Sequence, residues 1–541
     1  METKFDIIII GAGPNGLQAG AYLSKAGEKV LVLERRYECG GGLWTEETTL
    51  PGFLHSTHAI YMMMTDFAPV YKDFQLEEEY GVHHIHPDLI WAMPFSDGKC
   101  LCIYKDVERT CKSVAQFSQK DAESYLEFYH FTKKCVDEFI GPATYIPPAG
   151  ALDQIVLLQK LEFGSEMGEW SEMNAMDIID KRFENDQVKA LLLYVCTHWG
   201  VRYNMNALGY LVLLYLNRAH SYQLVKGGSH MVAQALNKVI HENKGLVKNN
   251  QRVKKIIVEG GEARGVEMED GVVYEAIKAV ISTIDPHQTF LELVGEDKLD
   301  FALADKMKRW QWEAYSLLGI HSALEEMPQF TAAASNPDIN SAGIYILGYE
   351  NVQELRDYID AIYEGDIPDT IGFNCCFPSN HDPSLAPPGR CVSHISSMMP
   401  YDLKEGGAER WYNYKFREEM TKRCLGVLEC YAPNITKDKV LQTHISTPLD
   451  CENMFADMRK GSIKQGMYQP LQMGFLRPHE ECSRHRTPIK NLYVGGSCVY
   501  PGGCVIWGSG YLAANRVAQD YGIKRWWPEP EFITKLKEKG F

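Results

Sequence analysis

A chain of 541 residues is too long for one ordinary hydrophobic core and implies about two domains. Its 45% hydrophobic and 23% charged residues are the mix of a globular protein, and a formal net charge of −16 repels phosphate backbones, which excludes nucleic acid as an ordinary partner. No basic region followed by an apolar stretch opens the chain, residues 5–10 are too short a run to span a bilayer, and the 15 scattered cysteines form no C-x-x-C pair, so they read as free thiols of a reducing cytoplasm.

In chain order, the first informative stretch is a β-branched run, residues 4–10, that stops at Gly11-Ala-Gly-Pro-Asn-Gly16. A helical pattern follows through Leu17, Ala19, Ala21, Tyr22 and Leu23, and residues 29–34 make a second buried strand closed by Glu34. Strand, tight turn, helix, strand and terminal acid together form a dinucleotide fingerprint. Gly11 allows the turn, Gly13 lets the backbone approach a pyrophosphate, and Gly16 lets the helix pack on the sheet. Pro14 and Asn15 open the helix whose N-terminus faces the phosphates, and Glu34 is placed to bind the ribose hydroxyls. Arg35 and Arg36 invite an NADP reading; beside Glu34 they read better as a solvated or pyrophosphate-facing pair. A second glycine cluster, Gly40-Gly41-Gly42-Leu43, lies just after the acid, where the chain must run along the cofactor towards a flavin ring, and this favours FAD over NAD.

His55 and His58 come next and are candidate acid–base groups, since imidazole titrates near working pH; hydrogen-bonded structural histidines are the plainer reading. Met62, Met63 and Met64 read as core before pocket. His83, His84 and His86 alternate along a strand with no acidic partner in register, so no metal site is expected. Asp97-Gly98 joins two strand-like runs, residues 89–95 and 99–104. Ser118 and Asp121 resemble a capping box before an amphipathic stretch ending near Ile140. Residues 222–231 open a helix running to Ile240. Runs 253–258, 263–269 and 272–275 form a meander turned by Asp270-Gly271, with Val253 taken as a cofactor contact, and 279–284 form a separate buried strand ended by Asp285-Pro286. Trp310 and Trp312 read as aromatic core.

Near the C-terminus, a short strand at 492–494 leads into a second glycine-rich loop. Gly496, Ser497, Gly503, Cys504 and Val505 are its candidate contacts to a flavin ring, ahead of a small-residue helix over 506–520 whose dipole suits the charge of a reduced flavin. Tyr500 is a third candidate for proton donation. Residues 524–527 and Lys535, Lys537 and Lys539 make a basic, aromatic tail, read as a solvated helix, with docking on a membrane surface as the second reading.

These blocks point to an α/β protein with a Rossmann-type FAD-binding domain. That domain is discontinuous, over 1–75, 216–300 and 481–527. It is interleaved with an α+β substrate domain over 76–215 and 301–480, and residues 528–541 form a tail.

With both ends read, the chain resembles the phytoene dehydrogenase-like flavoproteins, the family of carotenoid desaturases, in the branch of pyridine nucleotide-disulphide oxidoreductase domain-containing protein 2. The resemblance rests on residues 10–16, 33–36 with Gly40-Gly41, 45–53, 226–228, 381–389, 447–450 and 492–503. It implies bound FAD, an amine-oxidase-like fold, and hydrogen added or removed across a C–C bond of an apolar small molecule. Some relatives use reduced flavin for redox-neutral isomerisation or hydration, and a non-catalytic flavin-fold binding protein is a third reading. Two departures stand out: Gly42 and Leu43 occupy the region where desaturases commonly carry arginine, and Cys504, Trp507 and Tyr500 add bulk to the C-terminal loop. Bulk beside a flavin argues against a long polyene and for a compact cyclic or aromatic substrate. No second dinucleotide fingerprint is present, so the electron partner is left open.

Overall fold

The computed structural model describes residues 2–540. Its first sheet is built on the parallel pairing of strands Lys4–Ile10 and Val30–Leu33, joined by the helix Pro14–Lys25. The residues of these strands from Ile7 to Ile10 and from Val30 to Leu33 are buried, as a sheet covered on both faces demands. Strand Val273–Ser282 flanks Lys4–Ile10, and Leu246–Lys248 extends the other edge, both in parallel.

The expected separate runs 272–275 and 279–284 are one strand, Val273–Ser282. Its pairing with Lys4–Ile10 shifts register between Phe5 and Ile7, a bulge at exposed Ile277 and at Lys278, which pairs with Glu28 at 2.6 Å, and the strand runs on through it. The outer edge of this strand is shared. Its first residues pair antiparallel with the meander Val253–Glu259 and Glu262–Met268, and its last pair in parallel with Leu492–Val494.

The second sheet is mostly antiparallel, in the order Val440–Ser446, Tyr315–Leu324, Cys391–Pro400, Phe373–Cys376, Ile344–Leu347, Leu89–Pro94, Cys100–Tyr104. The hairpin at the far edge turns at Gly98, whose φ of +82° is free of strain only for glycine. Helices Gln119–Cys135, Asp186–Thr197 and Gly209–Arg218 cover this sheet through one large apolar cluster. Ser118 caps the first of them by accepting from Asp121 N, but the reciprocal bond is not made. The Asp121 carboxylate instead accepts from Glu184 N and Asn185 N at 2.9 Å each, which ties two helices together.

Met62, Met63 and Met64 are core, and Trp310 is buried with its indole N–H donating to Gln465 O at 3.1 Å. His83 pairs with exposed Glu77, and His84 packs edge-on against Tyr71. The tail aromatics pack against the body of the protein. Trp526 and Trp527 pack on Tyr22, and Ile533 and Leu536 of helix Glu531–Glu538 are buried. No helix among the described residues is long and apolar enough to cross a membrane.

Candidate functional site

Parallel pairing brings the carboxyl ends of Lys4–Ile10, Val30–Leu33 and Val273–Ser282 side by side, and the loops leaving them enclose a crevice. A cavity of about 980 Å3 begins there, and a second of about 1280 Å3 lies towards the antiparallel sheet. Pro14, Asn15, Gly42, Met458, Ile463 and Ser497 border both, so the two are ends of one continuous cleft.

At the first end, Gly11 turns the chain with φ +94°. A Cβ on Gly16 would stand 2.0 Å from the Gly11 carbonyl oxygen, so Gly16 serves packing and does not border the cleft. A Cβ on Gly13 would meet no protein atom within 4 Å, and Gly13 does border it. The helix Pro14–Lys25 has no side-chain cap, which leaves its first N–H groups and positive dipole end for an anion.

Glu34 lies beside this turn, accepting from Ala12 N and Arg36 N at 2.9 Å each. Burial pushes its pKa up, and the two N–H groups pull the other way. Arg35 borders the cleft, with its guanidinium donating to Met454 O at 2.8 Å. The Arg36 guanidinium lies 3.9 Å over Trp44 and 4.5 Å over Phe455. Gly41, Val253 and Ser497 also border this end. Leu43 and Gly496 do not. Leu43 is fully buried in the core, and Gly496 is glycine because a Cβ would lie 2.5 Å from Thr283 O.

The second end takes in Thr57, His58, Gly503, Cys504 and Val505. Cys504 and Val505 hold φ of +65° and +52°, a left-handed backbone that costs a residue with a side chain about 1–2 kcal/mol. Trp507 is also left-handed, but its ring is buried against Tyr71, away from the cleft, so its bulk does not narrow the site. His58 packs edge-on against Phe455 at 4.4 Å, and burial, helped by Arg36, lowers its pKa to about 3.

Two of the three expected acid–base groups lie off the cleft. His55 hydrogen-bonds Thr49 Oγ1 at 2.8 Å and turns its ring towards His321, because its short strand packs on the antiparallel sheet. Tyr500 donates its hydroxyl to Ala143 O at 2.6 Å and is thereby occupied.

Sequence reading missed one wall at each end. At the first end these are Gln251, Thr283, Gln288 and the segment 455–458; Asp285-Pro286, read as a strand end, marked the rim from which Thr283 and Gln288 come. At the second end they are His198, Trp199, Asn374, His394, Ser396 and Ser446, single residues of scattered elements with no local pattern.

The donor set fits FAD. Thr57 Oγ1, His58 Nε2 and Arg36 Nη1 are buried along the cleft without a protein partner, and such atoms cost about 1–3 kcal/mol each unless a ligand meets them. Bare Gly13, the uncapped helix and Glu34 stand in the order pyrophosphate then ribose, and the second end lies beyond them for a ring.

The family model for flavin-containing amine oxidoreductases matches residues 16–520. A limonene dehydrogenase subunit of Castellaniella defragrans is 36% identical over 548 residues, spanning 99% of this chain and 98% of its own. Pyridine nucleotide-disulfide oxidoreductase domain-containing protein 2 of Mus musculus, from the branch expected above, is 27% identical over 96% of this chain and 94% of its own. An oxidoreductase of Methanosarcina mazei superposes with a TM-score of 0.60 at 18% identity, over 95% of this chain and 100% of its own, a likeness of fold. The chain belongs to the flavin-containing amine oxidoreductase family and is an FAD-dependent oxidoreductase.

Proposed function

We propose that this enzyme removes hydrogen across a C–C bond of a compact apolar hydrocarbon, of the size of a monocyclic terpene. One observation carries the reading. Among the described residues, no Asp, Glu, Lys or Arg borders the second end of the cleft. Ile60, Leu317, Ile463, Val505, Ile506 and Trp199 give it apolar walls, relieved by serines, Asn374 and histidines. A protonated amine would enter such a site without a counter-charge, at high desolvation cost. A hydrocarbon loses nothing there. The 36% identity to a protein named for limonene dehydrogenation supports the same class.

FAD, when bound, supplies the two-electron chemistry. The chain supplies position. Glu34 would hold the ribose hydroxyls, the turn at Gly11 and Gly13 with the uncapped helix would hold the pyrophosphate, and Ser497 with residues 502–506 would hold the ring. The apolar walls exclude water from the reacting carbons.

Anaerobic mixing of the purified yellow protein with cyclic monoterpenes and, separately, with primary amines tests this. Bleaching of the flavin absorbance by the hydrocarbon and not by the amine is the expected result. Bleaching by amines alone overturns the reading, as does conversion of the hydrocarbon only after chemical pre-reduction and with no net oxidation.

A further inference from the structure

Three strands of the antiparallel sheet each present a histidine at the same level: His321 pairs in register with His394 on one side and with His444 on the other. Side chains two residues apart share a face. Gly319, Ser396 and Ser446, on that face, border the cleft together with His394 itself. The row therefore starts at the cleft wall and runs across the sheet. His394 Nδ1 lies 3.0 Å from His321 Nδ1, a hydrogen bond in which one imidazole carries the shared proton and the other accepts it. That contact leaves Nε2 of His394 for the cleft. His321 is fully buried, and its Nε2 has no partner. The His444 ring lies 6.0 Å from it by centroids at an interplanar angle of 33°, a gap that one ring rotation or one water closes. His444 is half-buried on a strand whose Leu441 and Gln442 are exposed.

We propose that His394, His321 and His444 form a proton relay between the reacting end of the cleft and the surface, with His394 as the group that takes the substrate proton. The inference rests on the dehydrogenation reading above. Two other histidines border the same end and lack an onward path. His198 is held by Tyr194 O at 3.0 Å, and His58 contacts the Phe455 ring.

Dehydrogenation breaks two C–H bonds on adjacent carbons and forms one π bond. The substrate loses two electrons with one hydrogen, as a hydride equivalent, to oxidised FAD. The other hydrogen leaves as a proton to His394 Nε2. His394 passes its Nδ1 proton to His321 Nδ1, and His321 releases its Nε2 proton to His444 and water. The tautomers exchanged in one passage are restored by ring rotation before the next. Burial, then like imidazoles, lowers the pKa of His394 to about 3 and that of His321 well below the ordinary value, so both rings rest neutral and hold the proton only in transit. The groups facing the row are His55 and His58 beside His394 and His321, Arg36 beside His58, and Asp450, Glu46 and Arg417 around His444. Burial lowers the pKa of His444 as well, and Asp450 and Glu46 offset part of that.

The test uses FAD-loaded protein labelled with 15N in its histidines. Expected are a through-hydrogen-bond coupling between the two Nδ1 atoms, rapid exchange of that proton with water, and loss of the rapid exchange in His444→Gln with the coupling kept. In stopped flow, His394→Gln slows hydrocarbon-driven flavin bleaching about 100-fold or more, and His321→Gln slows it less while shifting its pH profile. Retained flavin absorbance and melting temperature show that each variant is folded. Absence of the coupling, or exchange and bleaching unchanged across the variants, overturns the relay. A wild type that keeps the coupling and the His444-dependent exchange but is not bleached by hydrocarbons leaves the relay standing and removes the substrate reading instead.

Discussion

Gly13 and Gly16 stand three residues apart on one turn, and an added methyl group would meet different things at each. At Gly16 it would strike the Gly11 carbonyl, and at Gly13 it would enter the cleft, on an extended backbone (φ −72°, ψ −177°) that alanine also adopts. Gly16→Ala is therefore expected to lower stability by about 1–3 kcal/mol and to lose FAD as well. Gly13→Ala is expected to melt like wild type in its FAD-free form and yet to release flavin. Thermal scans with and without added FAD, beside the absorbance of the purified protein, check both. Glu34→Gln is expected to weaken FAD binding by about tenfold or more, the worth of a hydrogen bond to a charged group, as a flavin fluorescence titration would read. At this scale the glycine fingerprint was legible because a dinucleotide constrains consecutive residues. Among the acid–base candidates, His58 borders the cleft while His55 and Tyr500 do not. Closeness in sequence to a flavin loop does not say which way a ring turns, and Thr49 and the Ala143 carbonyl decide that from elsewhere in the chain.

The histidine-bearing strands make stability depend on pH. His55, His58 and His394 sit near 4, 3 and 3 against an ordinary 6.5, burial being the first cause in each. Between those values the unfolded chain binds more protons than the folded one, so stability rises with pH there. The melting temperature is expected to fall steadily as pH drops below about 6.5 and to level off only near the lowered values, and His394→Gln should flatten part of that slope. Scans across the interval measure it; a melting temperature that climbs on acidification contradicts it.

A second buried feature ties the segment before the flavin loop to the antiparallel sheet. Lys464 Nζ lies 2.6 Å from Glu313 Oε1, with side chains 1% and 4% exposed. Glu313→Gln leaves the ammonium without its counter-charge and is expected to cost about 3–5 kcal/mol in denaturant titration, whereas Glu313→Leu combined with Lys464→Met recovers most of that. Elements were legible where alternation or capping was local, as in the hairpin at Gly98. They were misjudged where a distant partner decided, as when Asp121 turned from its own helix to Glu184 and Asn185.

On the scale of the whole molecule, the cleft runs from the parallel sheet to the antiparallel one, and both ends of the chain contribute to it. The two glycine-rich segments announced the nucleotide half, since each carries its chemistry within a dozen residues. The reacting half was silent. Its walls are isolated side chains such as Trp199, Asn374 and His394, brought together by strand register that no local pattern encodes. The folded tail adds a prediction here. Truncation before Lys524 uncovers Tyr22 and Phe74, now packed against Trp526, and should lower the melting temperature and raise binding of an apolar dye.

The strand Val273–Ser282 offers its early residues to a meander made just before it, but its last three await Leu492–Val494. On the ribosome that order has a cost in time. Every strand of the antiparallel sheet leaves the ribosome before the piece that finishes the nucleotide sheet has been synthesised, and Ser497 with residues 502–506 follows later still. Flavin capture is accordingly among the last acts of biogenesis, and a transcript truncated ahead of residue 492 yields a pale protein whatever the supply of cofactor.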